Sequence, residues 1–331
     1  MQFLDQKEYF FLREDDRFTN DRLALLTYGG SHAYGTNKEG SDVDLRGIYL
    51  PTKKEILSMT YEDKPFTDKI TDTVVYPLKQ IIELLCNCNP NTIEILGTRE
   101  EDIFAINDIG RILRENAEVF LSQKAYDSFN GYAVSQLRRL QNAIARDSLP
   151  QEEKEKHILQ SIKRRMDTFE ISYKDICDGE LNLYIDDSDR EGYAQEIYID
   201  INLKNYPLRD LKSMLAEMSD TIKQYGKLNH RNNKKDEPHL YKHAMHLIRL
   251  MMMGIDILEG IGINTYRKEK DFLLDIRNGK YSFDEIFEIT DEYDNKFKEA
   301  KKQTDLPKCI DMDKVNELVA EINLQIVNGW I

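Results

Sequence analysis

Asp42 and Asp44 are two carboxylates separated by one apolar residue, Val43, and ten residues lie between them and the small, flexible run Gly29-Gly30-Ser31. In a strand, side chains at i and i+2 share a face, so both acids point the same way with Cα atoms roughly 6.5–7 Å apart. Two like charges that close repel unless something cationic lies between them. A divalent metal with hard oxygen ligands answers that need, and Mg²⁺ is commonly held by one or two carboxylates together with phosphates. Backbone N–H groups of a Gly-Gly-Ser turn approach a phosphate closely because no Cβ intervenes. The segment reads as a site for a metal and a nucleotide. The plainer alternative is a solvated strand face, against which stands the depletion of Asp in strands. Taken alone, Gly29 and Gly30 would mean no more than a tight turn.

The elements that must position these residues are legible in outline. Leu23-Ala-Leu-Leu-Thr-Tyr28 is an apolar strand running into the glycine turn. Asp42-Val43-Asp44 is expected to lie in a second strand that continues through Ile48-Tyr49-Leu50 and ends at Pro51. A short helix or turn is expected at 53–57, and a further strand over 68–76, where Val74, Val75 and Tyr76 are β-prone. Leu78, Ile81, Ile82 and Leu85 have the spacing of a core-facing helix, and a turn followed by a strand or short helix covers 89–96. From about 105 the pattern turns helical, with apolar positions three to four apart over 109–121, 133–145 and 152–172. Two strands near 181–185 and 196–203 flank an acidic turn and suggest a hairpin. Helices are expected again over 208–225 and 239–260, from the Ser282–Glu285 capping box through 302, and over 312–327. This order implies an α+β protein, with a small mixed-sheet domain at 1–105 and a largely helical domain at 106–331 carrying the hairpin.

Composition bounds the function. The chain of 331 residues is 40% hydrophobic and 32% charged, long enough for two domains with real cores. With 46 basic and 60 acidic residues it carries a net charge of −14, which argues against broad, sequence-blind binding to duplex nucleic acid but allows a local grip on an RNA end. No run approaches the roughly eighteen apolar residues of a membrane span, and the first residues lack the basic and apolar regions of a signal peptide. Cys86, Cys88, Cys177 and Cys309 are too few and too scattered for a disulfide framework, and Cys86-Asn-Cys88 lacks a second ligand pair for zinc. A cytoplasmic location is expected, with no membrane partner; the oligomeric state stays open.

The pattern Gly30-Ser31, a ten-residue spacer, and Asp42-Val43-Asp44 resembles the signature of the polymerase-β-type nucleotidyltransferase superfamily. The wider string Gly-Ser-His-Ala-Tyr-Gly-Thr followed by Ser-Asp-Val-Asp-Leu-Arg-Gly is similar to the RlaP-type branch, which is associated with RNA repair. Stretches at 89–96, 242–249 and 276–282 also resemble that branch, whereas 177–206 do not match it. The resemblance implies an α+β catalytic domain with a helical partner domain and transfer of a nucleoside monophosphate from a nucleoside triphosphate to an acceptor, an RNA or tRNA 3′ end being favoured. It implies magnesium, with manganese as a substitute. Two other readings stand beside it: transfer of AMP to a protein or small molecule, and a non-catalytic nucleotide-sensing or antitoxin-like module.

In nucleotidyl transfer two metals stabilise the attacking and leaving oxygens. Asp42 and Asp44 would hold them, and a third carboxylate would take the proton of the attacking hydroxyl. Asp72 is the candidate, with Asp68 as its rival. Gly30 and Ser31 are assigned to nucleotide phosphate, although a turn serine also bonds its own backbone. His32 touches phosphate or base, or simply packs on the turn. Arg46 offers charge to the triphosphate, or pairs with the aspartates when no metal is present. Lys242, His246 and Arg249 fall at i, i+4 and i+7 on one helix and form a stripe that would neutralise phosphate if it faces the cleft, a solvated face being the alternative. Asn89, Pro90 and Asn91 read as a turn and helix cap, Lys163-Arg164-Arg165 as a surface ion-pair network, and Met251-Met252-Met253 as core.

Overall fold

The computed structural model describes residues 2–59, 64–148, 180–187, 189, 195–202, 204–208, 211–212, 215–216, 218–219, 223 and 237–329. Five strands form one mixed sheet: β1 (Leu23–Tyr28), β2 (Leu45–Tyr49), β3 (Phe66–Asp68), β4 (Thr73–Pro77) and β5 (Ile103–Ile106). Their spatial order is β3-β4-β2-β1-β5; β2 and β4 run parallel and the other neighbours antiparallel. β1 reads as a continuous apolar run because both faces of the sheet are covered. Leu25 and Ile48 face the main core, whereas Leu26, Leu45, Tyr49 and Val75 pack under Tyr9 and Phe18 from the N-terminal segment. Phe18 meets Phe66 edge-on at 5.1 Å, an arrangement that aligns the ring edge with the partner's π face.

Helices of eight or more residues among the described ones are α1 (Leu78–Cys86), α2 (Asp108–Glu115), α3 (Lys124–Ser148), α4 (Glu237–Leu258), α5 (Lys270–Arg277), α6 (Phe283–Gln303) and α7 (Met312–Val327). α1 buries Leu78, Ile81, Ile82 and Leu85, the four positions its spacing marks. The Ser282 hydroxyl and Glu285 carboxylate close the expected capping box at the start of α6. Met253, Ile257 and Leu258 of α4, Phe297 of α6 and Ile322 of α7 join the sheet in one apolar core. The protein is α+β. No helix among the described residues is long and apolar enough to cross a membrane.

The chain does not divide at 105/106. One compact unit comprises Met1–Arg138 together with Tyr241–Ile331, and the other comprises Arg139–Leu240. The last helices return to the first unit because their apolar faces belong to the same core as the sheet. In the second unit β6 (Glu180–Asp187) and β7 (Gln195–Asn202) form the expected antiparallel hairpin, with Leu183 opposite Ile199. The helix expected over 152–172 and the run Lys163-Arg164-Arg165 lie outside the described residues, as does most of the helix expected over 208–225.

Three local expectations need correction. Asp42-Val43-Asp44 is not part of a strand, because the ladder ends where Tyr28 pairs with Leu45 and β1 turns away at Gly29. The strand expected over 68–76 is two strands, β3 and β4, broken by a turn in which the Asp68 carboxylate accepts bonds from the N–H (3.0 Å) and hydroxyl (2.7 Å) of Thr71. Finally, the helical region does not begin at 105, since β5 occupies Ile103–Ile106 as the edge strand beside β1.

Candidate active site

The site forms where three chain segments leave the same end of the sheet. Leu45 of β2 is the register partner of Thr73 in parallel β4, so Asp44 and Asp72, each one residue earlier, emerge side by side. Tyr28, the last residue of β1, pairs with Leu45, and this brings the glycine turn to the same place. The Gly29 N–H donates to the Asp44 carbonyl at 2.8 Å. Gly30 adopts φ +53° and opens a single helical turn, Gly30–Ala33, that buries Ser31. Without strand pairing, side-chain alternation persists: Val43 packs into the second core cluster, while Asp42 and Asp44 line a cavity.

That cavity has a volume of about 360 Å³. Gly30, Ser31, Asp42, Asp44, Asp72, Lys242 and His246 line it, together with Lys38, Glu39, Gly40, Ser41 and Arg277. Asp42, Asp44 and Asp72 line it from the sheet end, Lys242 and His246 from α4, Arg277 from α5, and Lys38 and Glu39 from the 36–41 loop. Asp44 is half-buried beside Asp72; burial, then the neighbouring Asp72 carboxyl, pushes its carboxyl up to about 6, against the opposing pull of Arg46 and Lys242. Crowded carboxyl oxygens are the hard donors that a divalent cation takes. A Cβ on Gly30 would stand 1.8 Å from Asp44 Oδ2, so only glycine leaves the carboxylate in place. Among the described residues, no three histidine, cysteine or carboxylate side chains are already drawn together around one metal position.

Asp72, not Asp68, reaches the cavity, since Asp68 is committed to Thr71. Asp72 sits at φ +43°, a strained conformation for a non-glycine residue, and its side chain is 60% exposed. Arg46 donates to the Asp72 carbonyl at 2.6 Å and approaches its Oδ1 at 3.5 Å. The guanidinium is thus engaged with Asp72 and does not line the cavity.

His32 does not line it either: it stacks on Tyr28 at 5.1 Å, with Nε2 3.4 Å from the Ser41 carbonyl. Of the α4 stripe, Lys242 and His246 face the cavity. Burial and the charges of Arg249 and Lys242 hold His246 well below its usual range, so it is a neutral imidazole. Arg249 is 7% exposed and lies 3.7 Å over the ring of Tyr34, away from the cavity lining. Tyr34 donates to Glu94 at 2.8 Å, and burial raises both groups above their ordinary values. Sequence reasoning did not single out Lys38, Glu39, Gly40, Ser41 and Arg277 of the cavity lining; Ser41 and Arg277 fall in stretches that already carried a family resemblance.

A mixed sheet, a glycine turn and aspartates converging on a pocket of mixed charge suggest a nucleotidyltransferase-type role. Residues 12–166 match the model of the RlaP family, described as the RNA repair pathway DNA polymerase beta family, and this is the branch that the opening motif resembles. Such a family implies nucleotide substrates and divalent metal. Across 331 aligned residues, 92% of this chain and 98% of the relative, the chain is 22% identical to a protein of Enterobacteria phage T4 described as the uncharacterized 38.9 kDa protein in the nrdC-mobD intergenic region. No solved structure matches the chain significantly.

Proposed function

We propose that this chain transfers a nucleoside monophosphate from a nucleoside triphosphate to an acceptor hydroxyl, with an RNA or tRNA 3′ end as the acceptor. The observation that carries this reading is the arrangement of Asp42, Asp44 and Asp72 on one cavity that Lys38, Lys242 and Arg277 also line. Asp42 and Asp44 would hold magnesium, which supplies charge stabilisation for the attacking and leaving oxygens. Asp72 accepts the proton of the hydroxyl, held in place by Arg46 behind it. The Ser31 hydroxyl and the amides of Gly30 and Ser31 bind phosphate oxygens, and Lys242 adds charge. His246, being neutral, gives a hydrogen bond without a charge.

Incubation with labelled nucleoside triphosphates and tRNA tests the proposal. Transfer by the wild type that is lost in Asp42→Ala and Asp44→Ala supports it; no transfer to any acceptor, or transfer unchanged in both variants, defeats it. The net charge of −14 favours a second acceptor class, a protein that receives AMP, and labelling of a protein band instead of RNA would select it.

A further inference from the structure

Arg277 is the last residue of α5, and its guanidinium reaches back to the loop that joins the glycine turn to Asp42. It donates to the Thr36 carbonyl and, at 3.4 Å, to the Ser41 hydroxyl. In return, its own carbonyl accepts from Lys38 Nζ at 3.4 Å. The loop between those contacts is a self-closed turn: Lys38 N–H donates to Ser41 Oγ at 2.8 Å, Ser41 N–H donates to the Lys38 carbonyl at 3.0 Å, and Gly40 takes φ +77°. Such a turn moves as one piece about its ends, and Arg277 fastens both ends.

The anchor itself is held firmly. A Cβ at Gly279, two residues on, would come within 2.9 Å of the Tyr241 ring, next to Lys242. Earlier in the same segment, Tyr266 packs on Gly35 so closely that a Cβ there would lie 2.4 Å from the ring. Arg277 has no carboxylate partner among the described residues; burial and the charge of Arg249 pull its guanidinium below its ordinary value. An arginine that spends its donors on neutral loop oxygens beside a cavity is a clamp rather than a surface ion pair.

We propose that Arg277 is the positioning residue of this site: by fixing the 36–41 loop it sets the cavity wall and the place of Asp42, which follows Ser41 directly. This deepens the nucleotidyl-transfer reading and rests on it for the kinetic half of the test only. The structural half uses limited trypsin digestion of the full chain, read by the mass of the fragment ending at exposed Lys38. Releasing two hydrogen bonds should speed that cleavage by about tenfold in Arg277→Met, while Arg277→Lys, which keeps one donor group, stays within about threefold of wild type. Ser41→Ala removes an acceptor from the loop side and should also accelerate cleavage, which keeps the test open if Arg277→Met fails to fold.

In the transfer assay, Arg277→Met should lower kcat about tenfold or more with KM for the triphosphate within about threefold, because a displaced wall misplaces reacting groups rather than removing uniform binding. Unchanged cleavage at Lys38 in Arg277→Met and Ser41→Ala overturns the proposal, and so does a raised KM with kcat intact. A wild type that transfers no nucleotide would defeat the transfer reading alone, leaving the digestion to decide Arg277.

Discussion

Gly30 and Asp44 are in such close approach that one methyl group cannot fit between them: a Cβ on Gly30 would be 1.8 Å from Oδ2 and 2.9 Å from Cγ of the carboxylate. Gly30 also holds φ +53°, where a side chain is disfavoured whatever the space. Gly30→Ala should therefore displace Asp44 and abolish nucleotide transfer. It should also lower stability by about 1 kcal/mol or more through the backbone alone. Thermal denaturation and the transfer assay read the two effects separately; an active, equally stable alanine variant would contradict the geometry.

Asp44 gives the site a pH dependence with a definite sign. Its carboxyl is raised from 3.8 to about 6, first by burial and then by Asp72, so the folded protein binds this proton more tightly than the unfolded chain does. Without metal, its stabilising share is present below 3.8 and is lost as pH rises through about 6. A divalent cation competes with the same proton, so its stabilising effect must grow over that interval. The thermal shift produced by magnesium or manganese should be small at pH 5 and large at pH 7.5, and transfer should fail as pH drops through about 6. In Asp44→Asn the cation-induced shift should be weak and flat with pH. A wild-type shift that is equal at both pH values would remove Asp44 from the proposed metal site.

The Arg267–Asp256 pair fixes the segment that carries Tyr266 to Gly35. Nη1 and Nη2 of Arg267 donate to the two Asp256 oxygens at 2.6 and 3.2 Å, with side chains 7% and 13% exposed. Breaking a buried pair leaves one charge uncompensated, so Arg267→Met should cost about 3–5 kcal/mol. The double variant Arg267→Met, Asp256→Leu should recover much of that loss, because an apolar replacement of both partners is far less costly. Thermal denaturation followed by circular dichroism compares the three proteins. A single variant no less stable than the double one would show that the pair is not desolvated.

What was legible in the sequence was local. Gly30, Ser31, Asp42 and Asp44 lie within fifteen residues of one another, and the structure brings all four to one cavity, as their types and spacing suggest. The choice between Asp72 and Asp68 was not legible, because it depends on the register that pairs Leu45 with Thr73 and on the bonds that tie Asp68 to Thr71. Helical spacing put Lys242, His246 and Arg249 on one stripe, yet Tyr34 receives Arg249 before it can reach the cavity. Arg277 meets Thr36 across 241 residues, a separation that no periodicity encodes. The division of the chain was hidden for the same reason: α4 to α7 have the amphipathic pattern of a separate bundle, and only their packing shows that they complete the core of the sheet.

Lys242 links those distant helices to the carboxylates. It lines the cavity, and its charge draws Asp44 downward against the effects of burial and Asp72. Removing that charge should act twice. Lys242→Met should push the Asp44 carboxyl further up, so the pH at which the magnesium-induced thermal shift sets in moves above that of wild type. It should also weaken binding of the triphosphate, raising its KM about tenfold as expected for one lost charged contact, with a smaller change in kcat. Because Lys242 is exposed at the start of its helix face, the fold should tolerate the change. Thermal shifts across pH and steady-state kinetics measure the two effects independently. If the onset pH stays where it is while KM rises, Lys242 touches the nucleotide but does not govern Asp44; if neither moves, it belongs to the solvated surface.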